Sequence, residues 1–526
     1  MYNQKLFRLK ASVCASAVLL TCLPAHAGER EELEALRQTT VGLVQALVEQ
    51  GFLSRDKADQ LLKQAEPKAT ASLAPEVKPA GKEASGTVHV TYVPEIVKQQ
   101  IADQVREEVV AKARAERWGD VNAVPEWVDR IKLEGDMRVG AQSDAYGANN
   151  AASANYLIAN GQNLSPMDAD RSRMLLRARL GLNARVSPEL STTLRLTTGS
   201  SGDALSTSQT LGNYDTKINF ALDRAFMRYH DSEMAPWLTV TAGRMPNPWM
   251  GTELLWNENL GFDGVALAFD PAANSNASWR PFGGLGVFPL QDVQTSLQNN
   301  VQSKWLYGAQ GGVEWVQDNT ARAKLGLGYY NFYNVSGTLN PVSGQSTTNL
   351  SAPGFRQKGN TLFDITNPPT NTTADVYGLA ADYRVLDLTA VVDVNLYDPV
   401  HLIVTGDYLK NVGFDQASIK ARSGVDVQRQ DSGYLLRVAL GMPTMLLKGD
   451  WQTSVTYRYL EADAVLDAFN DSDFHLGGTN NKGYVLGFQY GLGRGTWLSA
   501  KLLSSDEVSG PPLAINTLQV YVNAKF

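Results

Sequence analysis

Apolar residues recur along this chain with two different periods, and the change between them divides it. Over 29–66 the spacing is helical. Leu33, Leu36, Thr40, Leu43 and Leu47 follow a 3-4-3-4 pattern, a coiled-coil seam two heptads long, and Gly51 ends that helix. Ser54 caps a second helix carrying Ala58, Leu61 and Leu62. Self-association and a self-packed hairpin fit this segment equally well. Residues 67–94 are rich in Pro, Ala, Lys and Ser and read as a linker. A third helical stretch follows over 95–117, with Val97, Ile101, Val105 and Val109 at every fourth position among many charges.

From about residue 130 the period becomes two. In 130–140, Ile131, Leu133, Met137 and Val139 point one way, and Lys132, Glu134, Asp136 and Arg138 the other. In 173–186, Leu176, Ala178, Leu180, Leu182, Ala184 and Val186 oppose Arg173, Arg177, Arg179, Asn183 and Arg185. The pattern predicts sixteen strands, near 131–140, 172–186, 190–199, 217–230, 237–245, 261–270, 282–290, 304–316, 321–333, 383–397, 400–410, 432–441, 449–461, 482–491, 496–504 and 515–526; eighteen is the alternative count. Short connections (187–188, 317–320, 398–399, 493–495) contrast with long polar ones (141–171, 200–216, 334–382, 411–431, 462–481). That contrast is the rule of outer-membrane barrels, and it places both ends of the barrel in the periplasm. The connection 271–281 is long for a periplasmic turn.

Residues 1–27 read as a secretory signal peptide. Lys5, Arg8 and Lys10 form its basic start, 11–23 its apolar core, and Ala25-His26-Ala27 its cleavage site. Both cysteines, Cys14 and Cys22, lie inside it, which leaves the mature chain without a thiol nucleophile, disulfide or cysteine metal site. Acylation at Cys22 is disfavoured by Thr21 before it. The chain carries a formal charge of −7, a poor match to nucleic acid. No later stretch reaches the ~20 apolar residues of a membrane-spanning helix. The expected organisation is therefore a signal peptide (1–27), a helical, coiled-coil-like periplasmic segment (28–66), a linker (67–94), a periplasmic helix and lead-in (95–129), and an all-β transmembrane antiparallel barrel (130–526) in the outer membrane of a Gram-negative cell.

The final strand, 518–526, puts Leu518, Val520, Val522, Ala524 and the terminal Phe526 on one face. An alternating strand closing on a C-terminal aromatic resembles the signal read by the barrel assembly machinery, so Phe526 is the expected assembly residue. More broadly, LRQTTVGLVQALVEQGFLSRDKADQLLKQAE (36–66), LDRAFMRY (222–229) and AGRMPNPWMGTELLWNENLGFDGVAL (242–267) resemble the putative porin family of Gram-negative bacteria. The resemblance implies a pore for small polar solutes, no cofactor, and a homo-oligomer, with a trimer favoured; it assigns no substrate.

Inward charge is the chemical signal of the strands. Arg173, Arg177, Arg179, Arg185, Arg195, Arg224 and Arg228 share the polar parity of strands two to four, and Asp387, Asp393 and Asp407 that of strands ten and eleven. Eight strands apart in a ring of sixteen, a basic and an acidic wall would set a field across the pore; the simpler reading pairs each arginine with an acidic neighbour. Arginine facing lipid costs roughly 2–4 kcal/mol, so the shared parity assigns that face to water. Including Lys132, Arg138, Arg322, Lys324, Arg437, Arg458, Lys501 and Lys525, inward strand positions are more basic than acidic, which predicts mild anion preference. The connection 246–259 carries Glu253 and Glu258 among tryptophans and prolines and is the candidate constriction.

Catalytic readings fare poorly. His89, His230, His401 and His475 are isolated, so no metal site is expected. His230-Asp231-Ser232 sits at a short turn, and sequence neighbours rarely form a triad. GLGRG (491–495) lies between strands, not before a helix, and is no phosphate loop. The chain reads as a passive diffusion pore. The alternative is a structural protein whose helical leader tethers the outer membrane to peptidoglycan. An active transporter would need about 22 strands and a plug.

Overall fold

A computed structural model describes residues 130–152, 169–272, 277–318, 320–342, 344–369 and 375–526. The helical expectations for 29–117 lie outside these residues. Sixteen strands form the barrel wall. They are β1 (Ile131–Tyr146), β2 (Arg171–Arg185), β3 (Leu190–Thr197), β4 (Ala221–His230), β5 (Leu238–Met245), β6 (Phe262–Phe269), β7 (Trp279–Gln291) and β8 (Lys304–Gln317). The ring continues with β9 (Ala321–Tyr333), β10 (Tyr383–Tyr397), β11 (Val400–Asn411), β12 (Ser432–Gly441), β13 (Trp451–Leu460), β14 (Asn481–Gly493), β15 (Thr496–Glu507) and β16 (Ile515–Lys525). Each strand pairs antiparallel with its sequence neighbours, and β1 pairs with β16 from Asp136/Lys525 to Tyr146/Ile515, closing the ring. Closure gives every strand of the ring a partner strand on each side, the condition for a sheet to stand in lipid. Among the described residues no helix is long and apolar enough to cross a membrane.

Period-two alternation sets the register. On β1, Leu133 and Met137 face out, 69% and 46% exposed, while Gln142 and Asp144 face in and are buried. On β16, Leu518, Val520 and Val522 continue the outer apolar band. Aromatic pairs mark its rims, Trp279 with Trp315 near the short turns and Trp305 with Tyr307 near the long loops. β1 runs six residues further than its alternation suggested, because Ala141, Ser143 and Ala145 replace large apolar residues once the strand leaves the lipid band. β4 starts at Ala221 rather than 217. Above the short β3, a two-residue strand, Gln209–Thr210, takes over pairing with β2.

The long connections do more than link strands. Residues 246–261, the described parts of 334–382, and residues 461–480 fold into the lumen. They build an apolar core there from Trp249, Leu254, Trp256, Phe363, Ile365, Leu379, Val465 and Leu466, with inward wall residues Phe288, Leu306, Tyr330 and Tyr383. The 334–382 connection carries a small hairpin, Leu362–Asp364 with Tyr377–Leu379. A helix, α1 (Gln416–Ser423), lies in 412–431, capped by Asp415 and ended by Gly424 in the left-handed region.

Candidate functional site: the lumen beside the arginine wall

The connection after β5 enters the barrel because the wall opposite is built to receive it. Inward positions of β7 to β9 are rich in glycine. At Gly308 an added Cβ would collide with the Trp249 ring, and at Gly286 it would come within 2.8 Å of it. Glycine weakens a strand, and here it gives that surface to tryptophan. Trp249 stacks on Trp256 (5.7 Å between centroids) and meets Phe262, Phe288 and Tyr330 edge-on. Gln310 clasps the connection: its Oε1 accepts from the Met250 amide at 2.8 Å, and its Nε2 donates to the Met250 carbonyl at 2.6 Å. The Thr252 hydroxyl donates to Asp407, and Glu253 pairs with Arg437. The far edge is stitched to the 461–480 connection, Asn257 N to Phe469 O at 2.8 Å and Asp471 N to Glu253 O at 3.1 Å.

These contacts fill the β7–β13 side of the lumen. Among the described residues, the open space along β1 to β4 and β16 includes two cavities. One, about 430 Å³, is lined by Arg138, Arg173, Asp473, Asn259 and Tyr521. The other, about 330 Å³, is lined by Asp136, Arg177, Arg179, Arg195 and Asn523. Arg177 lies where the wall meets the inward connection, 3.0 Å from Asp136 and 3.8 Å from Glu258, whose side chain is 78% exposed. Burial pushes the Asp473 carboxyl up, while Lys501 and Arg138 draw it down.

The predicted basic wall is therefore assembled on one side, with most of its members paired. Arg173 pairs with Asp144 (3.3 Å), Arg179 with Asp136 (2.6 Å) and Arg195 with Asp223 (2.6 Å). Arg224 is buried with its Nε lacking a hydrogen-bond partner among the described residues. Arg185 is exposed at the short-turn end of β2, and Arg228 lies over the Phe226 ring.

The predicted acidic wall is rearranged. Asp387 and Asp407 do point inward, but Gly251 and Thr252 cover them and leave them 0% and 4% exposed; Asp407 anchors the inward connection through Thr252, and Asp387 lies beneath it instead of lining open space. Asp393 binds His401 at 2.7 Å near a short turn. Negative charge opposite the arginines comes from Glu258 and Asp473. Sequence reasoning passed over Asp473, since alternation assigns faces on strands and says nothing about where a loop residue returns. The acidic run in NDSDF (470–474) was the available hint. His230 bonds Thr239 Oγ1 and the Leu238 carbonyl, and Asp231 accepts the Glu233 and Met234 amides, a turn in place of a triad. Among the described residues no group of acidic and histidine side chains could hold a metal ion.

Comparison with known proteins places the chain. The family model described as "Putative porin" matches residues 37–526. Among solved structures, the chain is similar to the outer membrane channel DcaP of Acinetobacter baumannii, at 9% identity over 75% of this chain and 97% of that one, TM-score 0.40. It is also similar to OprB of Pseudomonas putida, at 12% identity over 78% and 97%, TM-score 0.45. A third is OmpT, an outer membrane protein of Vibrio cholerae, at 12% over 75% and 97%, TM-score 0.39. No curated protein matches by sequence. The family match over nearly all of the barrel-forming sequence makes the conclusion plain: this chain belongs to the putative porin family and is a porin-like channel of the outer membrane.

Proposed function

We propose that the channel gives passive diffusion to small polar solutes and ions, and that their path is the strip of lumen between the arginines of β1–β4 and the Glu258–Asp473 edge of the inward connections. The carrying observation is the inward connection itself: seated on the glycine-bearing wall, it leaves open the space that Arg138, Arg173, Arg177, Arg179 and Arg195 line. Fixed charges of both signs across a narrow gap orient dipolar solutes and separate ions into lanes. Basic residues outnumber acidic ones around this strip, which favours mild anion preference at low salt. The preference fades as the screening length falls from ~10 Å at 0.1 M to ~3 Å at 1 M. Residues 246–259 act as the constriction. The short-turn end and the leader face the periplasm, and the chain works as a homo-oligomer, a trimer, which cross-linking of the folded protein checks.

Purified protein in a planar bilayer tests the reading. Discrete ohmic steps are expected, with a reversal potential of anionic sign at low salt. A folded, inserted protein that stays electrically silent would overturn it in favour of a tether.

A further inference from the structure

The barrel wall has a gap. The β6–β7 ladder stops at Val265/Val287, whereas β5–β6 continues to Met245/Phe262 and β7–β8 to Gln291/Lys304. Beyond Gly264, which still packs against the Val287 carbonyl, the regular pairing is lost, and a cavity of about 360 Å³ lies between the ends of the two strands. It runs from Arg244 and Asp263, on the outward parity, to Leu466 and Phe469 of the inward core. Its walls are mainly apolar, with Phe262, Phe288, Leu306 and Leu379 among them. That size and lining suit a small organic molecule rather than an ion with its water shell.

One end is polar. Arg244 and Asp263 neutralise each other at 2.6 Å. Lys304 does not share in this: it is 4% exposed, and its Nζ donates to the Ala352 carbonyl at 2.6 Å. Among the described residues no carboxylate lies within ion-pair distance of it. An ammonium has three donors, so two remain for a guest. A buried charge beside an apolar cavity is costly unless an opposite charge meets it.

We propose that this crevice is a binding site for a small carboxylate with an apolar body, such as a saturated ring or short chain, with Lys304 as its counter-ion. The body packs between Phe262, Phe288 and Leu306, and the carboxylate accepts from the free Lys304 donors. The site lies apart from the arginine strip, so ligand binding does not depend on conduction.

Calorimetric titration of the folded protein with cyclohexanecarboxylate, and with the neutral cyclohexanecarboxamide as control, tests this. One saturable site is expected for the acid, with the amide about tenfold weaker or more, as befits loss of a buried charge partner. Lys304→Gln should bring the acid down to the amide's level. Gly354→Val fills the crevice without touching the charge, since a Cβ there meets only the Gln291 side chain, at 3.8 Å, and should abolish both signals. Heat-modifiable gel mobility verifies that each variant is folded. No saturable binding to folded wild type, or acid binding unchanged in either folded variant, would overturn the proposal.

Discussion

Arg458 points inward from β13 with 1% of its side chain exposed, 2.8 Å from Asp471 and with its guanidinium 4.5 Å from the Phe474 ring centroid. It pins the 461–480 connection to the wall. Breaking a buried pair from one side strands the other charge at a cost of about 3–5 kcal/mol. Arg458→Met should therefore lower the temperature of the heat-modifiable transition and speed protease cleavage between 461 and 480, with the wall intact. Asp467 in the same connection is buried, and burial pushes its carboxyl up to about 7 from an ordinary 3.8, against the pull of Arg356 and Lys358. The folded chain then keeps this proton where the unfolded chain has lost it. The sign follows: the connection is held best below about pH 4 and loses that hold as pH rises towards 7. Hydrogen exchange of 461–480, corrected for intrinsic rates, should rise across that window in wild type and less steeply in Asp467→Asn, where the buried Asp463 carboxyl still contributes; equal slopes would rule this out. On the open strip, changing Arg177 and Arg179 together to Ser also frees Asp136, their shared partner. The reversal potential should move towards cations at 0.1 M salt and hardly at all at 1 M. A cation preference unchanged by the double substitution would place selectivity elsewhere.

At the scale of elements, the inward connection after β5 rests on two devices, the Trp249–Trp256 aromatic cluster and the polar anchors at Gln310 and Asp407. Removing a large buried aromatic costs about 3–5 kcal/mol, more than one hydrogen bond contributes. Trp249→Ala should therefore raise single-channel conductance and its noise, while Thr252→Val, which removes the bond to Asp407 and the one the hydroxyl accepts from the Leu254 amide but leaves the aromatic cluster in place, should do so less. Equal conductance in all three proteins would show that these residues do not set the constriction. All sixteen strands were legible, because burial against lipid on one side and water on the other enforces strict alternation. The inward connections were not. Their short apolar runs, FDI at 363–365 and AVLDAF at 464–469, sit inside connections whose overall composition reads as polar, and no period says where a loop packs.

For the molecule as a whole, closure is the step on which everything depends. Phe526 completes it: its amide and carbonyl exchange 3.0 Å hydrogen bonds with Gly135, extending the β1–β16 seam towards the short-turn end. Its ring, 73% exposed, continues the outer face of Leu518, Val520 and Val522. Deleting Phe526 removes both bonds and the last aromatic, and should sharply reduce the amount of heat-modifiable, membrane-inserted protein in cells. Normal amounts would show that neither the seam end nor the terminal aromatic matters for assembly.

The sequence by itself determined the barrel, its sixteen strands, which side chains face lipid, and the arginines that face inward. These are one-dimensional consequences of a two-residue repeat in a medium that tolerates neither open backbone nor charge. It did not determine what those inward residues meet. Asp387 and Asp407 share the parity of a pore wall and yet lie under a loop, because Gly251 and Thr252 return to cover them, Thr252 bonding Asp407 across 155 residues of chain. The gap beside Lys304 likewise follows from where three ladders stop. Tertiary structure decided both, since the partner of an inward side chain is set by which connection folds back over it, and that is a matter of shape rather than of pattern.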